Sequence, residues 1–243
     1  MSILKERLRQ KIAEHRPRLA ELAKHGDVVV DTVTVKHVLG GLRGLKCLVS
    51  DISHLDPNQG IRYRGYTLFE VLDKLPKPKG AEMPYVEGLL FLLLTGDIPT
   101  EEEVMDTIDE FNKRRILPRY VYEVIDAFPG ISHPMAIFST AILTMSRESF
   151  FTKKYVAGLS KENYWDATYE DAMNLLAKLP EIGSYIYAKL YRDGKRIHSN
   201  PNVDYGHNFA HMMGFDNPYD DVSRLSFIIH SDHESGNVSA HTG

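Results

Sequence analysis

Ile229-His230-Ser231-Asp232-His233-Glu234-Ser235-Gly236-Asn237-Val238-Ser239-Ala240-His241-Thr242 precedes the last residue, Gly243. Three histidines, two carboxylates and an amide fall within these fourteen residues, directly after the apolar segment Val222 to Ile229. A packed helix ending there would hold side chains able to bind, polarise or move protons. Two readings of this density compete on chemical grounds. A metal site needs ligand spacing, and His230-Ser231-Asp232-His233-Glu234 matches neither H-E-x-x-H nor H-x-x-E-H, so no metal is expected. A metal-free site for a carbonyl or carboxylate fits better, with imidazoles and the Asn237 amide as donors. Ser231, Ser235 and Ser239 lie nearby, but none stands in a nucleophile elbow.

Upstream, His207 and His211 sit one helical turn apart, after a polar turn at Asn200-Pro201-Asn202. Trp165 to Leu179 and Ile182 to Leu190 read as two helices, with Pro180 as the breaker and Gly194 as the stop. Ser132-His133-Pro134 opens another helix, with Ser132 as the cap and Met135, Phe138, Ile142 and Met145 facing inward. Thr100-Glu101-Glu102-Glu103 is a capping box, and Gly96 ends the nearly all-apolar helix that begins after Pro84. At the start of the chain, Leu4, Leu8 and Ile12 form one stripe, and Pro17 separates that helix from a second piece carrying Leu19 and Leu22. Val28 to Val35 alternates like a short strand or strand pair and is the main β signal. Asp56-Pro57-Asn58-Gln59-Gly60 is a turn, after which Arg62 and Arg64 share a face if extended. Gly40-Gly41-Leu42-Arg43-Gly44 is compatible with a phosphate cradle or a plain tight turn, and it lacks the spacing of a P-loop. The expected fold class is mainly α, with a short β segment near residues 28–66.

These words also occur together elsewhere. The terminal segment resembles the active-site segment of the citrate synthase family, particularly the group that includes the mitochondrial enzymes. The likeness continues upstream in order through Gly40-Gly41-Leu42-Arg43-Gly44, Leu55-Asp56-Pro57 and Gly60-Ile61-Arg62-Tyr63-Arg64-Gly65. It runs on through Leu92-Leu93-Leu94-Thr95-Gly96, Ile98-Pro99-Thr100, His133-Pro134-Met135, Tyr164-Trp165 and Leu176-Ala177-Lys178-Leu179-Pro180.

The resemblance implies a multi-helical, two-domain homodimer that condenses acetyl-CoA with oxaloacetate to citrate and CoA, acetyl-CoA being a substrate and no cofactor being needed. By position, His233 resembles the histidine that holds oxaloacetate, with Asn237 and His230 beside it. Arg43 falls where the family has a CoA-contacting arginine, and Lys161 falls where related enzymes place another. A lysine there keeps the charge and loses the bidentate fork. The family's catalytic aspartate and its two other histidines lie beyond the position matching Gly243, as does the small domain. Residues 1–243 are therefore expected to be an incomplete large domain, truncated and inactive alone, with no catalytic acid or base of their own. A 2-methylcitrate synthase and a non-catalytic helical dimerisation or ligand-binding fragment are the alternative readings.

Composition sets the remaining bounds. A formal charge of −4 argues against a nucleic-acid binder, and 43% apolar residues suffice for a core. Cys47 is the single cysteine, so no internal disulfide or thiolate zinc cage is available. The longest apolar run, Leu89 to Leu94, is too short to span a bilayer. The basic first 25 residues also carry Glu6, Glu14 and Glu21, unlike a transit peptide. The expected location is the cytoplasm, or the mitochondrial matrix if this is a mature form.

Overall fold

A computed structural model of the chain describes residues 2–41, 44–45, 49, 51–56, 58–215 and 218–231. Among these residues, eleven α-helices, two short 3-10 turns and one three-stranded antiparallel sheet account for the regular structure, so the protein is mainly helical as the patterning predicts. Two helices organise the packing. Helix α4 (Val86–Thr95) is apolar on all sides because it is shared between two clusters. One face meets α1 (Ile3–Ala23), α5 (Glu101–Arg114) and α9 (Tyr164–Tyr191) through Leu4, Phe91, Phe111, Tyr169 and Met173. Its other face meets the sheet, α3 (Leu68–Lys74) and α11 (Tyr219–Ile229) through Tyr63, Val71, Leu89, Leu92 and Ile228. The C-terminal half of α9 joins α6 (Arg119–Ala127) and α7 (Pro134–Thr144) in a third cluster built on Val121, Ile125, Ile137, Ala141, Ile182 and Ile186.

The local signals around α4 and α5 act as expected. Gly96 ends α4 in the left-handed region at φ 82°, which a side chain would disfavour. Thr100 Oγ1 accepts from the Glu103 amide at 3.3 Å, and Glu103 Oε2 accepts from the Thr100 amide at 2.9 Å, closing the capping box of α5. Asp56 Oδ1 accepts from the Asn58 and Gln59 amides, forming the turn between β1 (Ser53–Asp56) and β2 (Gly60–Tyr63); β3 (Tyr66–Thr67) completes the sheet.

Other expectations are corrected. Residues 28–34 form no strand; the β structure lies at 53–67, within the latter part of the expected β segment. Alternation produces a strand only where a neighbouring chain completes the ladder, and here Val29 and Leu39 are 80% and 84% exposed. Val35–Leu39 instead winds into the short helix α2, where His37 Nδ1 accepts from the Thr34 amide at the start. Arg62 and Arg64 do not share a face, because Arg64 turns to φ 49° and donates twice to the Leu93 carbonyl, capping α4 from outside. The cap of α7 is His133, not Ser132, with its ring Nδ1 accepting from the Met135 amide. The inward face of α7 is carried by Ile137 and Ala141, with Phe138 and Met145 packed partly buried against the same cluster as expected, while Met135 is exposed.

Neither internal proline breaks its helix. Pro17 lies within α1, whose second half is exposed, so the carbonyl of Ala13 freed by the missing N–H can be hydrated. Leu19 and Leu22 accordingly do not dock on the described residues. Pro180 lies within the 28-residue α9 and leaves the Leu176 carbonyl without its helical donor. The hydroxyl of Tyr205, from α10 (Tyr205–Met213), donates to that carbonyl at 3.0 Å and replaces the lost bond. The contact is part-buried, so stripping that carbonyl of its donor costs on the order of 1–2 kcal/mol, the lower part of the range for an unsatisfied buried group. Tyr205→Phe is therefore expected to lower unfolding free energy in urea by about 1–2 kcal/mol. A loss below a few tenths would show that Pro180 is tolerated for another reason.

Candidate active site

Helix α11 leads directly to the histidine-rich segment, and its mounting is made from charged groups. Asp204 caps α10 by accepting from the His207 amide at 3.1 Å. The same carboxylate takes a two-pronged contact from Arg224 of α11, Nε to Oδ1 at 3.0 Å and Nη2 to Oδ2 at 2.7 Å. Arg224 Nη1 reaches Asp220 and Asp221 in the first turn of its own helix at 3.0 and 2.9 Å. Asp221 in turn accepts from the Glu82 and Met83 amides, attaching the loop that precedes α4. Arg224 is fully buried; burial alone would lower its pKa, but the hydrogen bonds and charges of the three aspartates outweigh that and raise it. Gly206 makes the approach possible, because a β-carbon there would stand 2.6 Å from Arg224 Cγ.

At its far end α11 is fixed to the sheet. Buried Tyr63 of β2 donates its hydroxyl to the Ile228 carbonyl at 2.7 Å, and Ser231 Oγ donates to the same oxygen at 2.6 Å. One of the helix's last carbonyls, that of Ile228, thus takes two donors where the chain leaves it. His230 closes the last turn, with its amide bonded to the Ser226 carbonyl. Its Nδ1 stands 2.8 Å from that same oxygen, an acceptor only, so the ring proton sits on Nδ1.

Of the residues singled out from sequence, His230 and Lys161 fall within the described structure. Lys161 is exposed on a 3-10 turn, Lys161–Asn163, that packs on the start of α9, with Arg16 of α1 bonded to the neighbouring Glu162 carbonyl. His230 belongs to the assembly of α4, α10 and α11, so the two are not brought together as one pocket. His233, Asn237 and Arg43 lie outside the described residues. The glycines flanking Arg43 are in the left-handed region, with Gly41 at φ 66° and Gly44 at φ 82°.

Sequence reading passed over Glu87, Asp204, Tyr205 and Arg224, which together hold the mount. The signals were present. Glu87 is a charge inside a helix apolar all round, and Arg224 precedes the buried Ile228 by four residues, on the same face. Glu87 Oε1 accepts from the Tyr205 amide at 2.8 Å, joining α4 to the start of α10. Beneath that contact lies a cavity of about 30 Å³ lined by Glu87, Phe111, Arg115, Glu181, Tyr205 and Asn208.

Comparison with known proteins sets this scaffold in context. The family model described as citrate synthase, C-terminal domain, matches residues 41–243. The mitochondrial citrate synthase of Daucus carota is 45% identical over 242 residues, covering 99% of this chain and 51% of the carrot protein. That of Saccharomyces cerevisiae is 44% identical over 247 residues, covering 99% and 52%. Among solved structures, citrate synthase from Pyrobaculum aerophilum superposes with a TM-score of 0.69 at 26% identity, over 86% of this chain and 52% of that one. The ternary complex of carboxymethyl coenzyme A and oxaloacetate with citrate synthase from Thermoplasma acidophilum shares the fold, with a TM-score of 0.65 at 20% identity over 84% of this chain and 49% of that one. The chain spans about half the length of the curated relatives it matches.

Proposed function

The chain belongs to the citrate synthase family, and from that premise we propose that its protein condenses acetyl-CoA with oxaloacetate to give citrate and CoA. The family match over residues 41–243 carries this reading, and the fixed end of α11 supports it physically. A condensation of this kind needs an electrophilic carbonyl held in one orientation, and a helix terminus clamped at Ile228 is a rigid origin for the residues that follow.

In this proposal His233 and Asn237 hold oxaloacetate as hydrogen-bond donors, with His230 beside them. Arg43 and Lys161 serve the phosphates of CoA, and Lys161 is exposed as such a role requires. Residues 1–243 supply part of the large domain; the base that removes the thioester methyl proton is assigned outside them. Deprotonating that methyl group needs both a base and stabilisation of the enolate oxygen. No resident cofactor enters the reaction, because the thioester itself acidifies the methyl group. The working unit is proposed to be a homodimer, for which the exposed Ile131, Met135 and Leu143 along α7 and its approach provide apolar surface. The mitochondrial matrix is the proposed location, following the names of the relatives; the cytoplasmic expectation draws no support from them. Among the described residues, no helix is long and apolar enough to cross a membrane.

The test is thiol release by the full-length protein. It should require oxaloacetate, proceed faster with acetyl-CoA than with propionyl-CoA, and fall by about 10²-fold or more in kcat/KM in His233→Ala, the scale for one lost carbonyl donor. Residues 1–243 expressed alone should give none. Faster turnover of propionyl-CoA, or release that ignores oxaloacetate, would overturn the proposed reaction. Turnover by the 243-residue polypeptide would overturn the assignment of the base.

A further inference from the structure

Glu87 is 1% exposed, and its two carboxyl oxygens have different surroundings. Oε1 accepts from the Tyr205 amide, at the positive end of α10. Oε2 has no hydrogen-bond partner among the described residues, and neither does Nη1 of Arg115, which lines the same 30 Å³ cavity. That volume accommodates about one water molecule, and the cavity wall offers polar groups enough to hold it. Every packed element presents a charged or titratable group here. Tyr85 precedes α4, Asp204 and Tyr205 begin α10, Arg224 comes from α11, Arg115 ends α5, and Glu181 belongs to α9.

We propose that Glu87 is a proton-operated joint: uncharged, it lets α4 close on the α10–α11 pair, and its ionisation loosens that pair. The mechanism is like-charge repulsion in a dry site. The Asp204 carboxylate holds Arg224, and Asp220 and Asp221 share the same guanidinium, so an ionised Glu87 adds a further buried anion beside one cation. Burial first, and then the charge of Asp204, push the Glu87 carboxyl up from 4.5 to about 8. The sign follows from linkage. With its folded pKa raised, the group binds a proton in the closed form that it releases on opening, so its contribution is complete below 4.5 and falls as pH rises, until it levels off above about 8. Because α11 carries His230 and the residues after it, the joint would set how firmly that segment is mounted. The inference itself does not depend on which reaction the protein performs.

Amide hydrogen exchange on the full-length protein tests this, with α6 and α7 as the internal reference for the pH dependence of intrinsic exchange. Relative protection of α10 and α11 should fall by up to about tenfold per pH unit as pH rises from roughly 6 towards 8, the slope of one linked proton, and flatten above. In Glu87→Gln, which keeps the shape and cannot ionise, the ratio should stay constant. A constant ratio in the wild type, or the same fall in the variant, overturns the proposal. If the variant does not fold, infrared difference spectra of the wild type decide. A protonated carboxyl signal persisting at roughly pH 6–7, where ordinary carboxylates are ionised, and vanishing through about 8 supports the joint; its absence there overturns it.

Discussion

Arg224→Leu is expected to destabilise the protein by about 3–5 kcal/mol, the scale for removing one partner of a buried ion pair. The leucine would satisfy the apolar demand of the α11 face, so the loss is electrostatic in origin. Asp204 would keep only the His207 amide as a charge-neutralising partner while staying buried. Asp220 and Asp221 would fare better. Both lie in the first turn of α11, where the helix dipole favours a negative charge, and Asp221 also accepts from two backbone amides. The penalty should therefore concentrate on Asp204. Arg224→Lys tests this, because an ammonium keeps the charge but cannot span both Asp204 oxygens and the α11 carboxylates together, and it should recover only part of the loss. Urea unfolding measures each variant. A leucine variant within about 1 kcal/mol of wild type would show that the cluster adds specificity without stability, an outcome known for some buried ion pairs.

The difference between what could and could not be read from the sequence follows the range of the interactions. The capping box at Thr100 and the left-handed stop at Gly96 close within four residues, so their residue types suffice to find them. Pro180 has a local effect, loss of one N–H, but its consequence is decided 25 positions later by the Tyr205 hydroxyl. A proline rule that ignores tertiary donors therefore divides a continuous helix into two. The Val28 to Val35 alternation fails for the same reason, since a strand exists only with its neighbour. For the site, the likeness of the terminal segment pointed to the end of the chain, and the match over residues 41–243 supports the family without assigning roles to those residues. Residue types alone could not reveal that α10 and α11 are held by Arg224, Asp204, Glu87 and Tyr63, because those contacts join segments separated by 20 to 165 positions.

Gly206→Ala is expected to cost about 2–3 kcal/mol, against the direction that helix propensity predicts. In the interior of an exposed helix, alanine is better than glycine by roughly 1 kcal/mol, and Gly206 has no left-handed backbone angle to excuse it. Its reason is spatial. An added β-carbon would stand 2.6 Å from Arg224 Cγ, 3.1 Å from its Cα and 3.2 Å from its amide nitrogen. A side-chain carbon can give way, but the two backbone atoms belong to a helix held at one end by Arg224's own ion pairs and at the other by Tyr63. Relief must come from moving α11 off α10, which lengthens the Arg224–Asp204 contact. The two substitutions should therefore be coupled. In an Arg224→Leu background the clamp that forces the close approach is already gone, and the further cost of Gly206→Ala should shrink by about 1 kcal/mol or more, as for residues in direct contact. A double-mutant cycle in urea gives the number. Strict additivity would mean that packing, not the ion pair, sets the spacing of α10 and of the helix α11 that carries His230.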